Sequence, residues 1–335
     1  MRARTGLLAA ALCILCVAGC IRKPRHDGTP LRCAIGIPSD VGGTELRCGY
    51  NYEMLRRYAR AENRGVSIRL AGKREKVLDS LRHGALDIVA MPYSDKLPDD
   101  TTLIWIPADS CGVWIFSSGR AEEADFAREW LAAFAADSGH DMLKNSFMNP
   151  ISPWFSDSTT YISPYDSLLR VYADTLGWDW RMLAALIYQE SKFRIEVRSP
   201  RGACGLMQLV PDTARKFGCR DMLDPEENIK AGVRMLAAVE NRFRKTAANQ
   251  TELTKFALAA YNAGAARVQD CVNYARHIGN DVSHWEDVAR AVPDMKHDSL
   301  TTDTPVKLGT FNGRETIFFV RYISVFYDRY TMICP

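Results

Sequence analysis

The chain reads as two domains of different class, an α/β unit followed by an all-α unit. Across residues 31–136, short β-branched and aromatic runs alternate with helical patterns; from residue 162 onward every apolar pattern has helical spacing. Length agrees: 335 residues, 47% hydrophobic and 25% charged, suffice for two cores and show neither repeats nor a disordered composition. The formal charge of +3 is small and basic residues are interleaved with acidic ones, so nucleic acid is set aside as a partner.

Arg2 and Arg4 precede an apolar run at residues 7–17 that ends in Ala18-Gly19-Cys20. The run is too short to span a bilayer and has the layout of a signal peptide over residues 1–19. A small-residue pair before cysteine resembles a bacterial lipobox, which implies cleavage before Cys20, lipidation of its thiol and a membrane anchor. Plain secretion with a buried or bridged Cys20 is the alternative. Residues 20–30 are polar, with two prolines and a glycine, and read as a tether.

Cys13 and Cys16 leave with the signal, and seven cysteines remain besides Cys20: Cys33, Cys48, Cys111, Cys204, Cys219, Cys271 and Cys334. An odd number leaves at least one unpaired unless it bridges to another chain, and the pairing stays open. The mature chain contains no C-x-x-C and no H-E-x-x-H, so no metal is expected. The histidines, His277, His284 and His297 among them, read as surface or packing residues.

In the first domain, strands are expected at 31–38, 66–71 and 85–92, with helices at 51–64 and 76–83. Met54, Leu55 and Tyr58 share a face of the first helix. Strands separated by helices predict a parallel sheet. The helix leading into LRHGALDIVAMP resembles an element in the first lobe of periplasmic solute-binding proteins. The stretch 103–119 and a helix at 121–136, with Trp130 and Leu131, resemble the strand and helix by which such chains return to that lobe. The resemblance covers residues 31–140, but only ten residues separate the third strand from Leu103. That family places a second lobe of about one hundred residues there. The expected fold is thus a truncated solute-binding-protein-like lobe. Its strand ends offer a place for a peptide, muropeptide or protein ligand, and a spacer role is the alternative.

Residues 141–161 read as a linker, with Asn149-Pro150, Ser152-Pro153 and the aromatic anchors Trp154 and Phe155. The second domain, residues 162–335, is expected to hold helices at 165–176, 178–193, 211–217, 228–243, 252–261, 265–278 and 315–330. Residues 281–313 are expected to be a long loop at one end of a cleft.

Leu183, Leu186, Ile187 and Glu190 fall at i, i+3, i+4 and i+7 and share a helix face. A carboxyl at the end of an apolar stripe is desolvated and keeps its proton nearer neutral pH, as a general acid must. Taken alone, the blander reading prevails, that Glu190 is a polar residue capping an amphipathic helix. The segments ISPYDSLLRVYADTLGWDWRMLAALIYQES, SPRGACGLMQLVPDTA, NIKAGVRML and ALAAYNAG follow it or contain it in order. Their sequence and spacing resemble the lytic transglycosylase family with the goose-type lysozyme fold, over residues 162–335.

That resemblance implies an all-α lysozyme-like catalytic domain acting without cofactor on peptidoglycan glycan strands. Glu190 would protonate the oxygen of the β-1,4 bond between N-acetylmuramic acid and N-acetylglucosamine. No second acid lies in the E-S and G-L-M-Q segments, and Glu196 falls in the variable stretch between them. The resemblance gives the second part to the substrate's own N-acetyl oxygen. Glu190 then acts as base on the 6-hydroxyl, and a 1,6-anhydro sugar forms. Ser199 would bond Glu190 or the acetamido group, or else form the turn before Pro200. Gly202 and Gly205 permit a tight turn or close approach of sugar. Gln208 offers donor and acceptor to the sugar or is a structural amide, and Met207 reads as core. Tyr261 would close the far side of the groove near the scissile bond, with Asn262 capping the next turn or helix. Glu315 would stabilise the groove floor or favour a helix N-terminus. Val210 and Phe319 depart from the family pattern, which more often has methionine and an aromatic hydroxyl there. A hydrolase of lysozyme type and a silent glycan-binding scaffold are the competing readings.

Overall fold

A computed structural model describes residues 28–37, 46–71, 74–92, 100–109, 112–148, 152, 161–296 and 305–335. The expected signal peptide, Cys20, the tether up to residue 27, Cys111, Trp154, Phe155 and the Thr/Asp run at 301–304 lie outside these residues. The chain divides into two compact units, Met1–Pro150 and Ile151–Pro335.

The first unit holds a five-stranded sheet in the order β2-β1-β3-β5-β4. The strands are β1 (Leu31–Gly36), β2 (Val66–Ala71), β3 (Ile88–Pro92), β4 (Leu103–Pro107) and β5 (Gly112–Ser117). β1 pairs in parallel with β2 and β3, whereas β5 runs antiparallel to both β3 and β4. The parallel expectation therefore holds for the three strands it covered, and residues 103–119, expected as one strand, form two antiparallel ones. Residues 103–119 fold back as a hairpin, which needs no crossover helix. β5 is an interior strand, between β3 and β4, and is buried on both faces, as its unbroken apolar run GVWIFS requires. Val113 and Ile115 meet Leu78, Leu81 and Leu86 on one side. On the other, Trp114 stacks 6.1 Å from Trp130, itself 5.1 Å from Phe134.

The helices of this unit are α1 (Arg47–Ala61), α2 (Arg74–Arg82), α3 (Ala121–Ala135) and α4 (Ser138–Met148). α4 occupies residues expected to begin the linker. The Leu46 amide bonds the Phe147 carbonyl, and Tyr50 Oη lies 3.1 Å from His140 Nε2, so α4 packs on α1. Asp87, 2% exposed at the start of β3, is held between Arg32 and Arg120, each 2.7 Å away.

The second unit contains α5 (Asp166–Asp174), α6 (Trp180–Ser191), α7 (Pro211–Lys216), α8 (Pro225–Phe243), α9 (Gln250–Ala263), α10 (Ala265–His277), α11 (Trp285–Ala291) and α12 (Arg314–Ile333). Its only β pairing among the described residues is a pair of isolated bridges, Arg198 to Cys204 and Cys204 to Leu209. Helix starts follow their capping residues. Asp179, Asp224 and Asn249 accept bonds from the amides of Arg181, Glu227 and Glu252 at 2.9–3.0 Å. α11 lies inside the expected 281–313 loop, because Trp285 is buried and stands 5.7 Å from Phe256. The six described cysteines, Cys33, Cys48, Cys204, Cys219, Cys271 and Cys334, are buried free thiols.

Candidate active site

α6 brings Glu190 to the floor of a cleft of about 520 Å³. Leu183, Ala184, Ala185, Leu186 and Ile187 are wholly buried, and Glu190 follows them where the helix reaches the cleft. Lys192 ends the helix in the left-handed region, φ 53°, and turns the chain away. Burial alone raises the Glu190 carboxyl to about 8. The group remains partly open to solvent from the cleft, so it can exchange its proton.

A loop of tight turns forms the adjoining wall. The Ser199 amide bonds the Ala203 carbonyl at 3.0 Å, and Ser199 Oγ accepts from the Ala203 amide at 3.0 Å. Ser199 thus closes a turn, and among the described residues it makes no hydrogen bond to Glu190. Ser199 is nonetheless among the residues that line the cleft. Gln208 is held at φ 47°, a conformation uncommon for a residue with a side chain. Its Nε2 donates to the carbonyls of Val197 and Gly205 at 2.9 and 3.0 Å. Both donors serve the loop, leaving Oε1 as the acceptor for a ligand. The structural-amide reading of Gln208 accounts for its Nε2, and the residue also lines the cleft.

Gly205 is a correction: it does not line the cleft. At φ 82°, a β-carbon here would stand 2.3 Å from both Asn228 Nδ2 and the Met222 carbonyl. Glycine is needed for packing against the start of α8, not for approach of sugar. Asn228, fully buried, pins the loop by accepting from the Met207 amide at 2.8 Å and donating to the Met222 carbonyl at 2.9 Å. Met207 is core, as expected, and lies over Gly232, where a β-carbon would meet its sulfur at 2.2 Å.

Across the cleft, Tyr261 donates from its phenol to the Met207 carbonyl. Burial, and then the nearby Glu190 charge, hold the phenol well above its ordinary pKa, so it stays protonated. Asn262 does not cap the following helix, whose N-terminus has no side-chain cap. Its Oδ1 accepts from Thr316 Oγ1 at 2.8 Å on α12, and Nδ2 is left as a donor. Glu315, exposed in the first turn of α12, lines the same cleft and, among the described residues, is its only carboxylate besides Glu190. Glu196 is elsewhere, buried in an ion pair with Arg194.

Six of the seven expected residues of the glycan site thus share one cleft. Sequence reading missed Arg201, Thr213, Met235, Phe311 and Asn312, which also line it. Met235 carried a signal, since Asn228, Gly232 and Met235 fall at i, i+4 and i+7 on α8. Phe311 and Asn312 reach the cleft from the segment before α12, the part of the expected loop that does form its edge. Among the described residues, one group, Asp281, His284 and Asp287, brings potential metal ligands within 4.8 Å of one another. It is a surface cluster outside the cleft lining, and Asp287 is paired with Arg290 at 3.0 Å.

Residues 167–282 match the family described as the Transglycosylase SLT domain. The chain is similar to the membrane-bound lytic murein transglycosylase F of Desulfosudis oleivorans, 37% identical over 169 residues, covering 50% of this chain and 37% of that relative. It is equally similar to the protein of that name from Marinobacter nauticus, 37% identical over 164 residues and covering 49% and 32%. The matched region thus spans about a third of each relative. The 70 kDa soluble lytic transglycosylase of Escherichia coli aligns over 88% of this chain and 47% of its own at 19% identity, with a TM-score of 0.39. A likeness that weak leaves the fold to rest on the chain itself.

Proposed function

We propose that this chain is a peptidoglycan lytic transglycosylase, cleaving the β-1,4 bond after N-acetylmuramic acid without water. The observation that carries the reading is Glu190, a carboxyl raised to about 8 by burial at the floor of an open cleft. Such a group is protonated at neutral pH and can transfer its proton to a glycosidic oxygen. As the C–O bond breaks, the substrate's N-acetyl oxygen closes on the anomeric carbon. The Glu190 carboxylate then takes the proton of the 6-hydroxyl, whose oxygen displaces the acetamido oxygen and leaves the 1,6-anhydro end. Gln208 Oε1 and Asn262 Nδ2 supply an acceptor and a donor suited to acetamido and hydroxyl groups. Tyr261, never ionised near neutral pH, keeps the wall rigid beside the acid.

Glu315 favours one competing reading, a hydrolase using a second carboxylate. Its exposure argues against it, because an open carboxylate lacks the fixed, desolvated setting of a nucleophile. Mass spectrometry of digested sacculi separates the two: anhydro-muropeptides are expected, and reducing muramic acid ends would establish the hydrolase. Glu190→Gln should abolish turnover while retaining glycan binding, and undiminished activity in that variant would remove the assignment altogether.

The proposal extends to placement. Lipidation at Cys20 would hold the protein on a membrane facing the periplasm, in the outer membrane of a Gram-negative cell. No helix among the described residues is long and apolar enough to cross a membrane. The truncated solute-binding-like lobe would serve as a recruiting module for a peptide, muropeptide or protein.

A further inference from the structure

α12 carries more than Glu315. Glu315, Phe318, Tyr322 and Val325 lie within about 80° of one another around the helix. This flank borders the buried face formed by Thr316, Phe319, Ile323 and Phe326. Three residues of it are large, apolar and open: Phe318 is 37% exposed, Tyr322 49% and Val325 40%. The rings are ordered. Phe318 and Tyr322 stack at 6.1 Å and 27°, and Tyr322 continues onto Phe326 at 6.4 Å and 21°. Phe326 is anchored edge-on by Tyr188 of α6 at 5.1 Å. Cations flank the ladder, the Arg314 guanidinium 5.7 Å from the Phe318 ring and Lys192 Nζ 5.4 Å from Phe326.

We propose that this aromatic flank is a glycan-binding surface that holds the strand where it leaves the cleft, an inference that rests on the substrate class proposed above. Continuity identifies the occupant. The helix end bearing Glu315 and Thr316 lines the cleft, and Tyr322 lies about 10 Å further along the same flank. A chain that leaves the cleft along α12 would pass over the ladder. Sugar rings present apolar C–H faces that cover flat aromatic rings, and the peptide branches of peptidoglycan carry carboxylates suited to Arg314 and Lys192. None of these contacts touches the reacting bond, so the surface governs retention of long strands and not the chemical step.

The test compares the full chain with its Phe318→Ala/Tyr322→Ala variant on intact sacculi and on a peptide-free tetrasaccharide that fills only the cleft. For sacculi, KM should rise roughly tenfold, the weight of covering two half-open rings, while kcat holds. The rise should be absent for the tetrasaccharide, and Tyr322→Phe should keep the original KM. Cosedimentation with sacculi in a Glu190→Gln background reads the same surface without turnover and should fall in parallel. Unchanged KM and cosedimentation would overturn the proposal, as would an equal KM rise on both substrates. Loss of binding to phosphatidylglycerol vesicles with sacculus binding intact would assign the ladder to a lipid surface and overturn it too. A parent chain that binds sacculi but cleaves neither substrate would count against the proposed reaction and leave this surface standing.

Discussion

At the scale of single residues, the proposed chemistry rests on how Glu190 is set. Its carboxyl is raised to about 8 by burial, with no ion pair among the described residues to offset it. Because the proposed general acid must be protonated, kcat/KM should fall as pH rises through about 8, measured with soluble glycan fragments. The same shift has a stability sign. Below the ordinary glutamate range the group is protonated folded and unfolded; above it the unfolded chain ionises first. Folding stability is therefore lost between about pH 4.5 and 8. Glu190→Gln should be the more stable protein at pH 8, by on the order of 2 kcal/mol after allowing for solvent in the cleft. Parallel melts at pH 4 and pH 8 check this: the gap should be small at the first and open at the second. Tyr261→Phe makes a different prediction. It removes the donor to the Met207 carbonyl, so stability should drop by about 1–3 kcal/mol. Turnover should fall by roughly tenfold to a hundredfold as the wall shifts, with the pH midpoint little moved, since Tyr261 is not the acid.

At the scale of elements, the cleft depends on a loop that is itself neither strand nor helix, and α8 supports it through Asn228. Both ends of that amide are engaged, with the Met207 amide on one side and the Met222 and Cys204 carbonyls on the other. Asn228→Ala should cost about 3 kcal/mol in chemical denaturation, because buried loop groups lose their partners. Activity should fall further than the stability loss alone explains, since Gln208 is aligned by the same loop. Sequence pattern alone anticipates α6 and the position of Glu190, because a stripe at i, i+3, i+4 and i+7 is a local property. It does not anticipate that Gly205 faces α8, or that Gln208 uses both donors on its own loop, because those facts belong to tertiary contact. The hairpin of β4 and β5 was hidden for a related reason. Between Pro107 and Gly112 no N-G or D-G pair marks the turn, and two apolar runs read as one. α4 was hidden by Gly139 and the nearby Pro150, which punctuate the sequence like a linker although Phe147 and His140 dock on α1.

At the scale of the molecule, two compact units with separate cores should unfold separately. The first is built on β1, β3 and β5, whose side chains are buried on both faces; the second is built on α6, α9 and α12. A substitution in one core should therefore move one transition and leave the other. Ile35→Ala removes a wholly buried side chain from β1 and should cost about 2–5 kcal/mol, lowering one calorimetric transition. Asn228→Ala should lower only the other, and Glu190→Gln should raise that same one at pH 8. A single transition shifted by all three would mean that the units fold as one body. Cys20→Ser adds the cellular test of the same division. If lipid at Cys20 is the only tether, the variant should leave the membrane fraction and appear soluble in the periplasm, with its cleavage of added sacculi unchanged, because the anchor and the cleft reside in separate parts of the chain. Continued membrane association would instead point to a second contact with the bilayer, and the exposed aromatic flank of α12 would be the first surface to examine for it.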